Sequence, residues 1–377
     1  MPMSSSSLNE HRQRIDQIDE QILDLLKERS EVVKGVLLTK IQNKLPIYVA
    51  GREDLKIQSF REMSIKRGLD PDWAEDFLRM IMSSSRASQS ASEFPRATTH
   101  PKKILILGGQ GGMGRQYATL FGASGHEVRL LDKNDWNRAS ELFKDIDLVI
   151  VSVPINVTIQ VIERAIPYLP EGAILADFTS NKSEPLNGML DMYKGTVVGL
   201  HPMHGPDMTN LSKQLMIVCH GRGEENYTWL INQFQLWGMR VLSVDPQQHD
   251  KIMNLVQGLR HFVALLHGSF MKTSELKPEQ ILHFSSPIYR AELMMTGRIF
   301  AQDAELYADI VFANDERRNI LLDFLQHHER LADMVKSGDK KAFIEEFESI
   351  TAFFGDFAET ALNESGYLIN RLADRFS

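Results

Sequence analysis

The sequence predicts a multidomain chain: an all-α segment, then a doubly wound α/β domain, then a second all-α segment. Three observations predict it. About eighty residues at the start carry helical periodicity, with nothing strand-like beyond the short Leu45–Val49 patch. After Pro101, β-rich apolar runs alternate with helical patterns, opening with Lys102-Lys103-Ile104-Leu105-Ile106-Leu107 and a group of glycines. Beyond about Gln247 the strand-like runs stop and long amphipathic helical patterns take over. Composition agrees: 377 residues, 43% apolar and 24% charged, have the balance of a globular protein. No run approaches the ~18 apolar residues of a membrane span. The net charge of −8 disfavours non-specific nucleic-acid binding, so any anionic ligand must be met by locally placed cations. The single cysteine, Cys219, allows neither an intrachain disulfide nor a zinc cluster, and no metal site is expected. The N-terminus has no apolar stretch behind a basic one, so a cytoplasmic location is expected.

In the first segment, Ile15, Ile18, Ile22, Leu25, Leu26, Val33 and Val36 recur at three- and four-residue steps, which describes one long amphipathic helix. Arg12, Arg29 and Lys40 fall in phase with that apolar stripe. A cation on a buried face costs several kcal/mol unless something anionic meets it. Snorkelling or an acid on a partner helix would satisfy any one of them. Three in phase, without an equally spaced set of acids, point to an anionic ligand. Arg12 and Lys40 lie about 42 Å apart along one helix, whereas Arg29 and Lys40 lie about 16 Å apart and can close around a ligand. Arg12 therefore belongs to a different site, most simply one on a second copy of the chain.

The stretch HRQRIDQIDEQILDLLKERSEVV, with Lys40, Gly51-Arg52-Glu53 and Ser85 through Gln89, resembles the all-helical chorismate mutase family across residues 8–90. That resemblance implies a mutase domain over 1–90 and an intertwined homodimer in which Arg12 of one chain completes its partner's site. It implies that Arg12 and Arg29 hold the two carboxylates of chorismate by forked hydrogen bonds. Lys40 and Gln89 would sit on the ether oxygen, and Glu53 would accept the ring hydroxyl, with Arg52 and Ser85 completing the pocket. The chemistry is a unimolecular pericyclic rearrangement, which needs a compact conformer and electrostatic stabilisation. Two positions depart from the family pattern: Val49 stands where some members carry an acid, and Val36-Leu37 where many have Val-Gly. Residues 83–101, SSSRASQSASEFPRATTHP, then form a linker by composition.

In the α/β domain, expected over 102–246, Gly109, Gly111 and Gly114 fit G-x-G-x-x-G between a strand and a helix. The first glycine permits the tight turn, the second lets backbone approach a pyrophosphate, and the third lets helix pack on strand. Gly112 and Met113 complete the loop. The next strand, Glu127–Leu131, ends at Asp132, twenty-three residues past Gly109. A carboxylate there accepts from a ribose diol and repels a 2′-phosphate, so the expected cofactor of this Rossmann domain is NAD. Ser152-Val153-Pro154 ends a later strand at the same sheet edge and should line the nicotinamide side.

A strand at Thr196–Leu200 precedes Gly199-Leu200-His201-Pro202-Met203-His204-Gly205-Pro206, which puts His201 at the ligand-binding edge as a candidate general base. A lone histidine is more often structural, so its context carries the assignment. GLHPMHGPD, Ser180-Asn181-Lys182, Gln248-His249-Asp250, LRHF at Leu259–Phe262, SSPIYR at Ser285–Arg290 and Gly297-Arg298 resemble the prephenate dehydrogenase family from Lys102 to about Asp374. With the mutase segment, the whole chain resembles the bifunctional enzymes of tyrosine biosynthesis. The resemblance implies that His201 draws the proton from the C4 hydroxyl of prephenate while NAD⁺ takes the hydride, and that Arg298 binds the ring carboxylate. Lys182, His249 and Arg290 would contribute to substrate binding, with Arg290 and Arg298 on one helix, Tyr289–Phe300. His261 should pack in a helix near the site. His204 stands where the family commonly has Phe. The helical 247–377 segment would bind substrate and dimerise, and L-tyrosine is the implied inhibitor. Two other readings share this fold: a ligand sensor that turns nothing over, and a dehydrogenase for arogenate or another 2-keto or hydroxy acid.

Overall fold

The computed structural model describes residues 5–43, 45–46, 50–89, 94–208 and 210–376. They fall into two units: one runs to Val153 and from Val157 to Pro246, and the other holds Pro154–Asn156 and everything from Gln247.

The first unit opens with three helices, α1 (Ser5–Gln42), α2 (Ala50–Ile65) and α3 (Pro71–Gln89). The stripe read from the sequence runs along one unbroken α1. Much of that stripe lies open in the single chain, with Ile15 56% and Leu25 64% exposed. Asp70 starts α3 by accepting from the backbone N–H groups of Asp72 and Trp73 at 2.7 and 3.3 Å. Ile57 of α2 packs on Leu78 and Met82 of α3.

The described parts of the Ser/Thr-rich stretch, 83–89 and 94–101, are held in place. Its first residues continue α3 through Gln89, and its end is pinned to the α/β layer. Phe94 enters the α/β core against Trp237, and Gln233 brackets the backbone by accepting from Ala97 N–H and donating to the Pro95 carbonyl. Arg96 donates to the carbonyls of Thr98, Thr99 and Gly125. One buried aromatic and one forked guanidinium thus override a composition that otherwise favours a flexible chain.

The sheet has the order β2-β1-β3-β4-β5-β6-β7. Its strands are β1 (Lys103–Leu107), β2 (Glu127–Leu131), β3 (Leu148–Val151), β4 (Ile174–Asp177), β5 (Thr196–Pro202), β6 (Leu215–Arg222) and β7 (Arg240–Ser243). The first five are parallel, β6 is antiparallel to β5, and β7 is parallel to β6. Helices α4 (Gly112–Ala123), α5 (Ala139–Leu142), α6 (Thr158–Ala165), α7 (Ser183–Met192) and α8 (Glu224–Leu236) accompany it. Both faces are covered, which is why β1, β3 and β4 read as continuous apolar runs rather than alternating ones. β5 runs past its expected end, because β6 extends the ladder to His201 opposite Ile217. His201 is therefore a strand residue and not the first residue of a loop.

The second unit is helical: α9 (Pro246–Met253), a π-helical turn Asn254–Leu259, α10 (Arg260–Thr273), α11 (Pro278–His283), α12 (Pro287–Gly297), α13 (Ala304–Val311), α14 (Asp315–Ser337), α15 (Lys340–Phe354) and α16 (Asp356–Phe376). The breaks follow local chemistry. Pro278 and Pro287 open helices at positions whose N–H has no helical partner, and Gly338 ends α14 at φ 66°. The helix expected at Tyr289–Phe300 is interrupted: α12 stops at Gly297, and Arg298–Ala301 tightens to a 3₁₀ turn before Gln302 extends.

His126 makes the α/β layer acid-sensitive. It is buried at the turn into β2, its Nδ1 accepts from the Lys102 N–H at 3.0 Å, and burial lowers its pKa to about 4. The unfolded chain takes up this proton near the ordinary 6.5, whereas the folded chain refuses it until about 4. The contribution to stability is therefore complete above that upper value and is lost as pH falls through the window. It should amount to about 2 kcal/mol between about pH 7 and about pH 5. In His126→Gln, which retains an acceptor, the fall in urea midpoint over that range should shrink, read by tryptophan fluorescence with Trp229 5.6 Å away. An unchanged fall would place the acid sensitivity elsewhere.

Candidate active sites

The three N-terminal helices gather most of the cations and polar groups singled out in that segment. Arg29 Nη1 donates to Ser85 Oγ at 2.7 Å, and the hydroxyl donates onward to the Ile81 carbonyl at 2.8 Å, which fixes both side chains. One turn beyond Leu37, Lys40 is half-buried. Burial lowers its pKa from 10.5, nearby Arg52 lowers it further, and Glu53 opposes them. Glu53 lies in the first turn of α2 and carries a neighbour the sequence did not signal: Lys213 Nζ, 3.0 Å from its Oε2. Arg12 is exposed near the far end of α1 and does not join this cluster. The side chain of Gln89, and Val49 entirely, lie outside the described residues. Each group, Arg29 with Ser85 and Lys40 with Arg52 and Glu53, sets cations beside a hydroxyl or a carboxylate, which equips it to hold an anion and stabilise developing negative charge. Leu37, at the position where the family pattern has glycine, is buried in the same apolar cluster as Phe94, Leu211 and Trp237.

At the carboxyl edge of the sheet, the turn from β1 into α4 is built for backbone contact. The left-handed residue is Gly108, φ 79°, not Gly109 as expected, and a Cβ there would run into the Ser152 carbonyl. Gly109 serves instead for close approach, since its Cβ would lie 2.8 Å from Cβ of Leu130. A Cβ on Gly114 would lie 2.8 Å from the Gly109 Cα, so its absence lets α4 close on the turn, and a Cβ on Gly112 would meet Pro206 at 2.8 Å. Gly111 caps α4 without a side-chain bond, and Met113, half-buried, packs on the core. Asp132 follows β2, and its Oδ2 accepts from Gln110 N–H at 3.1 Å, so the acid and the loop are tied together. Ser152 N–H donates to the Leu107 carbonyl at 2.8 Å, and Val153 follows it, while Pro154 belongs to the second unit. A cradle without room for Cβ atoms, a helix N-terminus and a carboxylate on one edge fit a pyrophosphate and a ribose diol.

His201 lies on the same edge, at the end of β5, and is buried. Beside it, Lys182 has no exposed surface: it is ion-paired to Asp177 and donates to the Leu200 carbonyl at 2.8 Å. Asp177 also accepts from Thr179 N–H at 2.9 Å, so the ends of β4 and β5 are clamped together. His204 has an internal explanation. Its ring stacks on Tyr117 with 6.1 Å between centroids, Nε2 lies 3.2 Å from the Tyr117 hydroxyl, and Nδ1 lies 3.1 Å from the Gly205 carbonyl. The carbonyl requires the proton on Nδ1, which leaves Nε2 to accept from tyrosine, and burial lowers the ring's pKa. The ring preserves the aromatic contact of a phenylalanine and adds two polar ones.

In the second unit, His249 is buried with Nδ1 2.8 Å from Asp250 Oδ1. The π-helical turn carries Asn254 and Gly258 against Arg317, a fully buried residue that the sequence analysis missed. Arg317 donates to Asn254 Oδ1 at 3.0 Å and to the Ile310 carbonyl, and a Cβ on Gly258 would lie 2.6 Å from its Cδ. The available signal was an arginine four residues before buried Leu321 on an otherwise charged helix face. His261 packs edge-on to Tyr307 at 4.8 Å, and burial beside Arg260 and Arg317 lowers its pKa to about 4. Arg290 is half-buried, donating to the Leu282 carbonyl at 3.0 Å. Arg298 is exposed and opens the 3₁₀ turn, so the two arginines do not share one continuous α-helix. No group of three or more potential metal ligands occurs among the described residues.

Comparison with known proteins places three family matches along the chain. Residues 11–90 match chorismate mutase type II, residues 119–229 match the nucleotide-binding domain of prephenate dehydrogenase, and residues 245–349 match its dimerization domain. The chain is 39% identical over 368 residues to the T-protein of Haemophilus influenzae, covering 98% of each. It is 40% identical over 363 residues to the T-protein of Enterobacter agglomerans, covering 96% of this chain and 97% of that one. Among solved structures, prephenate dehydrogenase from A. aeolicus in complex with hydroxyphenyl propionate and NAD⁺ shares the fold, with TM-score 0.55, 17% identity, and coverage of 68% of this chain and 98% of that one.

Proposed function

The chain belongs to the T-protein family of bifunctional chorismate mutases and prephenate dehydrogenases, and from that premise we propose which residues carry each activity. Residues 1–90 form the mutase, 102–246 the NAD-binding domain and 247–377 the helical substrate-binding and dimerisation domain. The observation that carries the mutase assignment is the gathering of Arg29 with Ser85, and of Lys40 with Arg52 and Glu53, around one face of α1. Arg29 and the partner subunit's Arg12 hold the two carboxylates of chorismate. Lys40, with Gln89, meets the charge that develops on the ether oxygen as the C–O bond breaks, Glu53 accepts the ring hydroxyl, and Arg52 and Ser85 close the pocket.

In the second activity, prephenate is oxidatively decarboxylated to 4-hydroxyphenylpyruvate and CO₂. Bound NAD⁺ supplies the acceptor for the C4 hydrogen and its electron pair. The glycine turn and the α4 N-terminus hold the pyrophosphate, and Asp132 holds the ribose diol. Ser152, Val153 and Pro154 line the nicotinamide side. His201 accepts the C4 hydroxyl proton, and aromatisation of the ring drives loss of CO₂. Arg298 binds the ring carboxylate, Arg290 and His249 orient the substrate, and Lys182 acts from beneath through Asp177 and the β5 carbonyl edge.

The working form is a homodimer in the cytoplasm, where both substrates and NAD⁺ meet. A second copy covers the open α1 stripe and the apolar side chains presented by α15 and α16, among them Phe343, Phe347, Phe353 and Phe357. None of the described helices is long and apolar enough to cross a membrane. L-Tyrosine inhibits at or near the dehydrogenase cleft, through the groups that hold the side-chain end, since it has no ring carboxylate.

Three measurements test this assignment. Lys40 acts as an ammonium and its pKa is lowered below 10.5, so chorismate turnover should decline on the alkaline side before an ordinary lysine titrates. Glu53→Gln removes the group that holds this pKa up and should move the decline to lower pH; a limb that stays put would separate the two residues. Mixing Arg12→Ala with Lys40→Ala chains should restore about one good mutase site per heterodimer, and no recovery after verified subunit exchange would refute the shared site. For prephenate, His201→Asn should lower kcat by about 10²–10⁴ with little change in KM. Arg298→Ala should chiefly raise KM and should weaken tyrosine inhibition less than prephenate binding. If His201→Asn altered only KM, the base would lie elsewhere.

A further inference from the structure

Among the described residues, an apolar and a polar contact join the mutase helices to the α/β layer close to Lys40. On α1, Leu37, Lys40 and Ile41 stand at i, i+3 and i+4, on one face of the helix. Leu37 is buried in the α/β core cluster and Ile41 packs against it, so the face that carries Lys40 is docked on the neighbouring layer. The second contact is polar. Lys213, in the connection between β5 and β6, reaches Glu53 with Nζ 3.0 Å from Oε2. Glu53 is 17% exposed and Lys213 37%, so the pair is partly shielded from solvent.

The backbone under Lys213 is specifically held. Its φ is 70°, a left-handed conformation in which a residue with a Cβ is disfavoured and glycine is the usual occupant. The strain persists because the surroundings impose it: Lys213 N–H donates to the Gly238 carbonyl at 2.8 Å, and Arg240 N–H donates to the Gln214 carbonyl at 2.8 Å. A residue tolerated in such a conformation despite its cost points to use of its side chain. That side chain ends on the carboxylate whose neighbours, Lys40 and Arg52, form the cationic part of the mutase cluster.

We propose that Lys213, a residue of the NAD-binding domain, is a positioning residue of the mutase site, fixing the Glu53 carboxylate against the Lys40–Arg52 pair. This rests on the assignment of Glu53 to that site. The mutase pocket is then composite: its helices supply the groups that touch chorismate, and the α/β layer supplies the cation that orients one of them.

The test uses the full-length chain and compares Lys213→Met, Lys213→Arg, Lys213→Gly and Glu53→Gln, with chorismate rearrangement and oxidation of added prephenate measured on each. Lys213→Met should lower kcat/KM for chorismate by about five- to tenfold and leave prephenate oxidation at the wild-type rate. Lys213→Arg, which restores the cation, should recover most of the loss. Lys213→Gly relaxes the backbone but removes the charge, and should resemble Lys213→Met. On a Glu53→Gln background, Lys213→Met should cost nothing more. Wild-type chorismate kinetics in Lys213→Met with a defective Glu53→Gln would overturn the proposal while leaving Glu53 in the site. Wild-type kinetics in Glu53→Gln would instead remove Glu53 from the site, and the proposal with it. Full additivity of the two substitutions, or parallel loss of prephenate oxidation in Lys213→Met and Lys213→Gly, would make Lys213 a scaffold residue and overturn the proposal as well.

Discussion

A cation withdrawn from water has to be met by a carboxylate or by oxygen dipoles, and each part of this chain holds a buried or half-buried cation. In the sheet it is Lys182, fully buried, whose ammonium is met by Asp177 and the Leu200 carbonyl. In the C-terminal helices it is Arg317, also fully buried, met by Asn254 and the Ile310 carbonyl in space that Gly258 leaves open. In the mutase helices it is Lys40, half-buried, with Arg52 and Glu53 beside it and Arg29 further along the same helix. The difference in company separates their roles. Removing one partner of a buried pair costs about 3–5 kcal/mol, so Lys182 and Asp177 secure the strand ends that carry His201. Around Lys40 the local balance stays positive, which suits a ligand that brings its own negative charge.

The features legible in the sequence were those that local periodicity and local sterics determine. Ile15 through Val36 define α1 because a 3.6-residue period has no other comfortable reading, and the cations in that stripe were visible for the same reason. The apolar runs of β1, β3 and β4 identified a sheet covered on both faces, and Pro278, Pro287 and Gly338 marked helix ends through backbone chemistry alone. What escaped were features that depend on a distant partner. The stretch 94–101 reads as linker until Phe94 meets Trp237 and Ala97 meets Gln233. His201 reads as a loop residue until β6 supplies the ladder. The glycine motif located the dinucleotide turn at Gly109 but not the left-handed Gly108 before it, whose crowding comes from Ser152, just past β3.

Candidate site residues divide along the same line. Arg29, Lys40, Arg52, Glu53 and Ser85 were identified by phase and by family pattern, and the helices do bring Arg29 to Ser85 and Lys40 to Arg52 and Glu53. Nothing local distinguishes Lys213 in Ser212-Lys213-Gln214, or Arg317 in a charged helix start; only their tertiary neighbours do. Arg290 and Arg298 show the converse. Regular spacing suggested one helix, yet α12 ends between them and a 3₁₀ turn carries Arg298.

The connection between β5 and β6 reaches both the glycine turn and the mutase helices within a dozen or so residues. It leaves the sheet after Pro202, sets Pro206 against Gly112 in the glycine turn, accepts from Gln116 at the Met208 carbonyl, buries Leu211 in the core, and delivers Lys213 to Glu53. Leu211 in the core and the bond from Lys213 N–H to the Gly238 carbonyl hold the later half of the connection against the α/β layer. The mutase helices therefore do more than precede the dehydrogenase in the chain. By burying Leu37 in the α/β core and pairing Glu53 with Lys213, they use the same connection that packs Pro206 against Gly112 in the glycine turn.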